Sequence, residues 1–331
     1  MVRHGNLHMR GAMTRKIGIL FGMENTFPGA LVARINDMKA PDVEAEFLKT
    51  GGIRMNQPSG YRVIVDRISQ DIPFYRAYLK NAAMGGTIVI NNPFWWTADD
   101  KFFNYALAER IGVAVPRTVI LPHKQHPPGT TDQSMRNLIY PLNWDDIFHY
   151  IGFPAFLKPY SGGGWKSVYK VHSPHELFAA YDQTADLCMT LQQSIEFDDY
   201  FRCYVIGQEK VLVMRYDPRN PHHLRYVLDG PPIDQAMYER VVNDCLKLCR
   251  ALGYDINTVE FAVQDGVPYA IDFLNPAPDA DYHSVGPQNF EWVVSAVAEF
   301  AVRKALSDED QVRQYHWSHF LSGGQAAARG A

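Results

Sequence analysis

The stretch TVEFAVQDGVPYAIDFLNPAPD, residues 258–279, carries the clearest indication of the fold. Two runs of alternating apolar residues flank the turn sequence QDG at 264–266, which is typical of a β-hairpin. A three-residue loop would pair Glu260 with Ala270 and bring Glu260 and Asp272 onto one face. A two-residue loop would place these two carboxylates on opposite faces. We expect the three-residue loop.

The predicted hairpin has one apolar face and one face with carboxylates among small residues. The apolar face contains Val259, Phe261, Val263, Val267, Tyr269 and Ile271, and the other contains Glu260, Ala262, Pro268, Ala270 and Asp272. Because neighbouring carboxylates repel each other, a divalent cation would stabilise them, and hard oxygen ligands suit magnesium bound to phosphate oxygens. The alternative is a solvated polar face on an edge hairpin.

A second informative stretch is FPAFLKPYSGGGWKSVYKV, residues 153–171. It predicts a strand that ends in Lys158, a loop with three glycines at 162–164, and a returning strand. Consecutive glycines let backbone N–H groups approach an anion, and Lys158 adds a positive charge. The pattern predicts a loop that covers phosphates, with an ordinary flexible turn as the alternative. It is not a Walker P-loop, because Trp165 precedes Lys166 and no helix is expected to follow.

Two arginines lie on a further predicted hairpin, YFRCYVIGQEKVLVMRY, residues 200–216. A two-residue turn at Gly207-Gln208 would pair Arg202 with Val213 and direct Arg202 and Arg215 to one side. Planar guanidinium groups there could stabilise a phosphoryl group or a carboxylate. The alternative is two isolated surface arginines.

Composition and charge exclude several classes of protein. With 47% hydrophobic and 21% charged residues the chain is globular, and 32 basic against 36 acidic residues argue against a broad nucleic-acid surface. The absence of a signal peptide or long apolar run predicts a cytoplasmic protein without a membrane partner. The four cysteines show no CxxC spacing and are expected to be structural.

The order of strands and helices predicts a mixed α/β (α+β) fold. Strands alternate with helices in the N-terminal part, which favours a parallel sheet, whereas short strands with tight turns follow later. The loop at 122–143 is rich in Pro, Gly, Thr and His and is expected to be a flap or a surface linker. The predicted segments are a disordered tail at 1–15, an α/β domain at 16–98, a lid subdomain with the glycine-rich loop at 99–186, a C-terminal subdomain at 187–307 and a tail at 308–331.

Together, these features stand in an order that resembles the ATP-grasp superfamily. A lysine precedes a triple-glycine hairpin, a strand leads into a hinge, an arginine-bearing hairpin follows, and a late carboxylate pair precedes an asparagine. The resemblance covers about residues 99–306 and is nearest to the glutathione-synthetase-like and ribosomal-protein glutamate ligase-like branches. It implies an ATP-grasp fold preceded by a parallel α/β (pre-ATP-grasp) domain.

The resemblance also implies a nucleotide site. The lysines would hold phosphates, the glycine loop would cover them, and the adenine would lie at LQQSI, where Gln192 faces the exocyclic amine. The backbone of Gln193 and Ile195 would read the ring edge. Asp198 or Asp199 would contact the ribose, although Tyr200 aligns with that position. The implied nucleotide-binding residues are Lys101, Lys158, Ser161, Gly162, Gly163, Gly164, Trp165, Gln192, Gln193, Ser194, Ile195 and Asp199.

A catalytic set and a metal set complete the implied site. The catalytic residues would be Arg202, Arg215 and Lys158, and the metal ligands Glu260, Asp272 and Asn275. In most members of the family, one residue separates the last two metal ligands, in the pattern acidic-x-Asn. In this chain two residues, Phe273 and Leu274, separate Asp272 from Asn275. Asn275 can therefore join the site only if the chain bulges or turns before Pro276.

The activity implied by the resemblance is ATP- and Mg²⁺-dependent ligation of a small-molecule carboxylate to an amine or a thiol. The reaction would pass through an acyl phosphate and release ADP and phosphate. Such chemistry depends on positioning and charge neutralisation, so the absence of an obvious catalytic His or Cys is consistent with it. A kinase of the same fold and a non-catalytic ATP-binding protein are the alternatives, and a homodimer is left open.

Overall fold

The computed structural model describes residues 14–95, 100–163 and 166–308. Gly164 and Trp165 of the glycine loop, and most of the two predicted tails, lie outside these residues. The chain divides into two compact units, Met1–Phe94 with Asp279–Ala331, and Trp95–Pro278. The expected C-terminal subdomain ended at residue 307, whereas the structure groups the residues from Asp279 onward with the N-terminal part.

Strands and helices alternate in the first part of the chain, and strands dominate the remainder. The strands are β1 (Arg15–Leu20), β2 (Val43–Phe47), β3 (Val63–Asp66), β4 (Ile88–Ile90), β5 (Thr118–Leu121), β6 (Ala155–Pro159), β7 (Tyr169–Val171), β8 (Met189–Gln193), β9 (Asp199–Ile206), β10 (Lys210–Arg215), β11 (Ile256–Gln264) and β12 (Val267–Asp272). The α-helices are α1 (Phe27–Asp37), α2 (Pro73–Met84), α3 (Lys101–Arg110), α4 (Trp144–Ile151), α5 (Pro174–Tyr181), α6 (Gln235–Leu252), α7 (Tyr282–Val285) and α8 (Pro287–Leu306).

The first unit contains the parallel sheet that the sequence predicted, and its strands stand in the order β2-β1-β3-β4. Every residue of β3 is buried, which is typical of a parallel strand covered on both faces. The last helix, α8, packs against α1 and β1. Apart from Phe300, its buried residues are all alanine or valine, among them Val293, Ala298 and Ala301, so the helix can approach closely. This packing is why residues 282–306 belong with the N-terminal sheet.

The second unit contains two antiparallel sheets. The first, in the order β5-β8-β6-β7, is the lid sheet, and α4 and α5 pack on its apolar face. Leu157 lies in this apolar cluster, so strand alternation directs the adjacent Lys158 to the opposite face. Residues 122–143 connect β5 to α4 without a helix or strand. No helix among the described residues is long and apolar enough to cross a membrane.

The second sheet, in the order β10-β9-β11-β12, packs one face on α6. The core between them contains Phe201, Phe261 and Ala270 together with Cys203, Cys245 and Cys249. The buried cysteines behave as small hydrophobic residues, as expected. The opposite face of this sheet carries Glu260.

The turn between β11 and β12 differs from the expected three-residue loop. Gln264 pairs with Val267, so the loop contains only Asp265 and Gly266, both at positive φ (51° and 72°). This is the tight hairpin turn whose backbone twist matches that of the flanking strands. The expected pairing of Glu260 with Ala270 is therefore wrong.

A β-bulge nevertheless restores the position of the two carboxylates. Phe261 pairs with Ala270, but Glu260 pairs with Asp272, so Ile271 is the extra residue. One inserted residue reverses the alternation of side chains and brings Glu260 and Asp272 opposite each other. The two-residue turn, not the bulge, places Ala270 in the core and leaves Tyr269 and Ile271 against Ala262, so the faces predicted for these three residues of β12 are reversed.

The turn between β9 and β10 also differs from the expectation. Ile206 pairs with Lys210, which makes the loop three residues long rather than two. Arg202 consequently pairs with Met214, and Arg215 pairs with Phe201. Because adjacent positions of a strand face opposite ways, the two arginines lie on opposite faces. The prediction that both point to one side is wrong.

Replacing Gly253 with alanine tests the end of α6. Gly253 has φ 77°, and an added Cβ would lie 2.8 Å from Cβ of Trp95. We expect Gly253→Ala to lower the free energy of unfolding by at least about 1 kcal/mol, measured by urea denaturation. The matched control is Gly29→Ala in α1, where a Cβ meets nothing within 4 Å. Equal stability of the two variants would contradict the expectation.

Candidate active site

A carboxylate pair lies at the bulge of β11 and β12. Oε2 of Glu260 accepts a hydrogen bond from the Tyr200 hydroxyl at 2.6 Å, and Oε1 lies 3.2 Å from Nη1 of Arg202. Only 19% of the Glu260 side chain is exposed, whereas Asp272 is exposed. Glu260 is thus held firmly, while its partner is accessible from solvent.

The electrostatics of this pair suit a divalent cation. Burial raises the pKa of Glu260, the Arg202 guanidinium opposes the rise, and the Asp272 carboxylate adds to it. The repulsion between two neighbouring carboxylates is offset when they bind a hard cation, which prefers oxygen ligands. The donor set therefore fits magnesium, with Glu260 and Asp272 as the residues that would hold it.

Asn275 reaches the same face in spite of the extra residue after Asp272. Its Nδ2 donates to Oγ1 of Thr258 at 3.0 Å, and Thr258 stands two positions before Glu260 on β11. The fully buried Asn257 fixes this geometry, because its Oδ1 accepts from the Asn275 N–H and its Nδ2 donates to the Phe273 carbonyl. The amide of Asn275 is therefore placed near the carboxylates; its role as a ligand stays a prediction.

Two lysines lie close to the carboxylates. Nζ of Lys158 donates to the Tyr105 hydroxyl and to Oε1 of Gln192, both at 2.8 Å. The Tyr105 hydroxyl in turn donates to the carbonyl of Ile271, the bulge residue, at 2.5 Å. This chain of hydrogen bonds connects the lid sheet to β12. Lys101, buried at the start of α3, completes the cluster.

The protonated, positively charged forms of both lysines are disfavoured by burial. Burial lowers the pKa of Lys158 to about 8, although the Asp272 and Glu260 carboxylates act in the opposite direction. Burial also lowers the pKa of Lys101, which Asp272 opposes and Lys158 reinforces. Two neighbouring ammonium groups away from bulk water form a site that a polyanion would stabilise.

The glycine loop begins beside these lysines. The backbone N–H of Lys101 donates to the Tyr160 carbonyl at 2.9 Å, and its Nζ donates to the carbonyl of Gly162. Gly162 has φ 80°, and an added Cβ at Gly163 would meet nothing within 4 Å. Ser161 is half-buried and both described glycines are exposed. The described part of the loop thus lies open beside Lys101, and its role over phosphates stays a prediction.

Gln192 is engaged within the lid sheet. Its Oε1 accepts from Lys158, and its Nε2 donates to Oγ1 of Thr118 at 2.9 Å. The structure therefore shows Gln192 positioning the lysine. Its expected contact with an adenine amine stays a prediction.

The remaining hinge residues follow β8. The Gln193 N–H donates to the Arg117 carbonyl at 2.9 Å, and the Ser194 N–H donates to the Pro154 carbonyl at 3.1 Å. Ile195 is buried against Tyr200. The expected reading of an adenine ring edge by the backbone of Gln193 and Ile195 stays a prediction.

Arg202 lies in an aromatic environment on the face that carries Glu260. Its guanidinium carbon is 5.3 Å from the ring centre of Tyr216 and 6.0 Å from that of Tyr226. Its buried Nε has no hydrogen-bond partner within residues 14–95, 100–163 and 166–308. An unpartnered buried donor beside the carboxylate pair is suited to an anion.

Arg215 and Asp199 form an ion pair on the other face of the sheet. Nη1 of Arg215 lies 2.5 and 2.6 Å from the two carboxylate oxygens of Asp199, and its guanidinium lies over the Phe201 ring. The three-residue turn described above separates this pair from Arg202. The expected catalytic role of Arg215 and ribose contact of Asp199 lack support from this geometry.

Three residues have roles in the site that were not predicted from the sequence. Tyr105 stands one helical turn after Lys101, on the buried side of α3, and Tyr200 stands two positions before Arg202 on β9. Helical and strand periodicity could have placed both beside known candidates. No periodicity in the sequence indicated Asn257, because its hydrogen-bond partners, Phe273 and Asn275, lie after the hairpin.

Comparisons with known proteins agree with this architecture. No protein-family model and no curated protein sequence matches the chain. Among solved structures, the D-Ala:D-Ser ligase VanG of Enterococcus faecalis is similar at a TM-score of 0.62 and 14% identity, covering 89% of this chain and 100% of that one. A RimK domain ATP-grasp protein of Sphaerobacter thermophilus is similar at 0.62 and 15% identity, covering 87% and 99%.

The chain therefore has the ATP-grasp fold, which the order of sequence motifs predicted. A further structural neighbour is a ligase that was solved with a precursor peptide. The ATP-grasp ligase PsnB, solved with a minimal precursor, Mg and ADP, is similar at a TM-score of 0.56 and 14% identity, covering 87% of this chain and 97% of that one. Identities this low establish the fold alone.

Tyr200→Phe tests how Glu260 is held. Loss of the 2.6 Å hydrogen bond frees one oxygen of a buried carboxylate, so we expect the dissociation constant for Mg²⁺ at this pair, measured by calorimetric titration, to rise about five- to ten-fold. Phe replaces Tyr without a cavity, so thermal stability should change little. Tyr269→Phe, on β12 of the same sheet, is the control. An unchanged affinity for Mg²⁺ in Tyr200→Phe would contradict this positioning role of Tyr200.

Proposed function

We propose that this protein is an ATP- and Mg²⁺-dependent ligase that joins a small-molecule carboxylate to an amine or a thiol. The observation that carries the proposal is the convergence of two lysines, the buried Lys101 and the half-buried Lys158, on a bulge-aligned carboxylate pair. The hydrogen-bond chain from Lys158 through Tyr105 to the Ile271 carbonyl supports a single site built from both sheets. The solved ATP-grasp ligases of the same fold support the reaction class.

In the proposed reaction, an oxygen of the substrate carboxylate attacks the γ-phosphorus of ATP. The bond to the β,γ-bridging oxygen breaks, ADP leaves, and an acyl phosphate forms. The amine or thiol then attacks the acyl carbon and loses a proton, and phosphate leaves. Lys101 and Lys158 would hold the phosphates, and Arg202 would stabilise the charge on the transferring group.

Magnesium fits this scheme through the donor set described above. When bound, it would neutralise phosphate oxygens and orient the triphosphate. Glu260 and Asp272 would hold it, with Asn275 as a third oxygen donor. Tyr200 and Arg202 orient Glu260, and Asn257 orients the turn that carries Asn275.

Transfer of an isotope label tests the reaction. The full chain, ATP and Mg²⁺ are incubated with pools of small carboxylates and amines, and with hydroxylamine in place of the amine. We expect ADP release together with a hydroxamate, and a carboxylate labelled with ¹⁸O should pass one label to inorganic phosphate, seen by ³¹P NMR. Asp272→Asn serves as the control for contaminating activity.

Three outcomes would contradict the proposal. A phosphorylated product that resists hydroxylamine would identify a kinase. Tight ATP binding without ADP formation across the pools would identify a binding protein. ADP formation with no label in phosphate would exclude the acyl phosphate.

The low pKa of Lys158 predicts a pH dependence. The folded-state pKa of about 8 lies below the ordinary value of 10.5, so the cation is lost as the pH rises through about 8. Because phosphate binding uses the cation, kcat/KM for ATP should fall at higher pH by about ten-fold per unit. The fall is measured from the pH profile of kcat/KM, which reports the ionisation of groups in the free enzyme. Lys158→Met should not show this fall in kcat/KM at higher pH. An identical fall in that variant would assign the titration to another group.

A further inference from the structure

A cavity of about 610 Å³ lies in the second unit, between the loop at 122–143 and helices α4 and α5. Its volume is in the range that proteins use for small organic ligands. The loop that encloses it lacks helix and strand, but its backbone is held by hydrogen bonds. The Gln125 N–H donates to the Ala185 carbonyl, and the Leu138 N–H donates to the Met135 carbonyl. Long ordered loops of this kind commonly carry binding functions.

The inner wall of the cavity is aromatic. The ring centres of Trp144 and Phe178 are 5.0 Å apart at an interplanar angle of 88°, and Trp144 also contacts Tyr181 edge to face at 6.2 Å. Phe178 remains 38% exposed, although it belongs to this packed cluster. On the loop side, Tyr140 is 62% exposed. An apolar or aromatic ligand would bury these rings.

Titratable side chains of both charge signs also line the cavity. Lys124 is paired with Asp182 at 2.6 Å, and Nε2 of His126 lies 2.9 Å from Asp132. Arg136 also lines the cavity, and it forms no ion pair with any residue that the structure describes. Its guanidinium is therefore the group available to a ligand's carboxylate, which it can bind through two parallel hydrogen bonds.

The cavity lies on the opposite side of the lid sheet from the lysine cluster. Leu157 and Leu191 point toward α4 and α5, in the apolar cluster against which Trp144 packs. Lys158 and Gln192 are their neighbours in sequence and point the other way. The cavity therefore does not belong to the candidate active site.

We propose that this lid cavity is a second binding site, for a small organic anion with an aromatic or branched apolar body. The apolar body would lie against Trp144, Phe178 and Tyr140, and the acidic group would pair with Arg136. The proposal does not depend on the ligase activity, because none of these residues contacts the lysines or the carboxylate pair.

Two probes that differ only in charge test this proposal. Calorimetric titration of the full chain compares 2-naphthoate with the neutral 2-naphthylmethanol. We expect saturable binding of the naphthoate at one site, and weaker binding of the alcohol. Arg136→Gln should weaken naphthoate binding about ten-fold and leave the alcohol unchanged, since only the charged hydrogen bonds are lost. Arg110→Gln, an exposed arginine on α3, is the matched control.

A second variant tests the aromatic wall, and a competitor tests whether the cavity is separate from the nucleotide site. Phe178→Ser should weaken both probes, and thermal unfolding confirms that each variant remains folded. Saturating Mg²⁺-ATP should leave naphthoate binding unchanged. The proposal is overturned if neither probe saturates, if ATP displaces the naphthoate, or if Arg136→Gln affects both probes equally.

Discussion

Replacing Lys158 with methionine is expected to lower kcat/KM for ATP by about a hundred- to a thousand-fold. Lys158 is half-buried and its ammonium is hydrogen-bonded to Tyr105 and Gln192, so a phosphate group bound there would be less screened by water and more strongly stabilised. Methionine has nearly the same length and volume but cannot carry the charge. Steady-state ADP release over a range of ATP concentrations measures the effect.

The fold should survive this substitution. Removing a poorly solvated charge offsets the loss of its bonds to Tyr105 and Gln192, and the Tyr105 hydroxyl still donates to the Ile271 carbonyl. The free energy of unfolding should therefore change by less than about 2 kcal/mol. Lys170→Met, on the exposed part of β7, is the control and should leave kcat/KM unchanged. Equal activity of both variants would remove Lys158 from the nucleotide site.

The second large effect is expected from Asp272→Asn, which should reduce turnover at least about a hundred-fold while preserving the fold. Asp272 is exposed at the end of β12, so its charge is not needed for packing. An amide at this position leaves Glu260 as the only carboxylate of the pair. The expected loss should be partly overcome by high Mg²⁺, which a titration of ADP release against Mg²⁺ measures.

Two further variants separate metal binding from folding. Asp265→Asn removes a carboxylate at the turn of the same hairpin, where asparagine tolerates the positive φ, and should leave activity unchanged. Glu260→Gln should also abolish turnover, but it leaves the buried Arg202 without its carboxylate, so about 3–5 kcal/mol of stability should be lost as well. Full activity of Asp272→Asn at ordinary Mg²⁺ would refute the metal assignment.

Much of the site could be predicted from local sequence, because its residues are close in the chain to strong signals. Lys158 stands at a strand end before three glycines, and Lys101 opens a helix after an N-cap aspartate. Such positions depend on alternation and helix starts, which a few neighbouring residues determine. The order of these elements was sufficient to predict the ATP-grasp fold.

The sequence-based predictions were wrong at the two hairpins. There, one residue more or fewer in a turn moves every side chain of the following strand to the opposite face of the sheet. The turn at 207–209 separated Arg215 from Arg202. The turn at 265–266 alone would have separated Glu260 from Asp272, and the bulge at Ile271 reversed that effect. Loop lengths of two and three residues differ little in local energy, so the packing of the sheet on α6 selects between them.

Local sequence was enough to identify the groups available for chemistry: two lysines, a carboxylate pair, an asparagine and a glycine loop, in a recognisable order. Which of these groups come into contact depends on the packing of the folded chain. The hydrogen bond from Tyr105 to the Ile271 carbonyl and that from Asn257 to the Phe273 carbonyl both connect residues distant in the chain. The burial that lowers the pKa of Lys158 also comes from residues distant in the chain. Such contacts depend on how sheets pack, since hydrogen bonds and desolvation act through space, whereas periodicity acts along the chain.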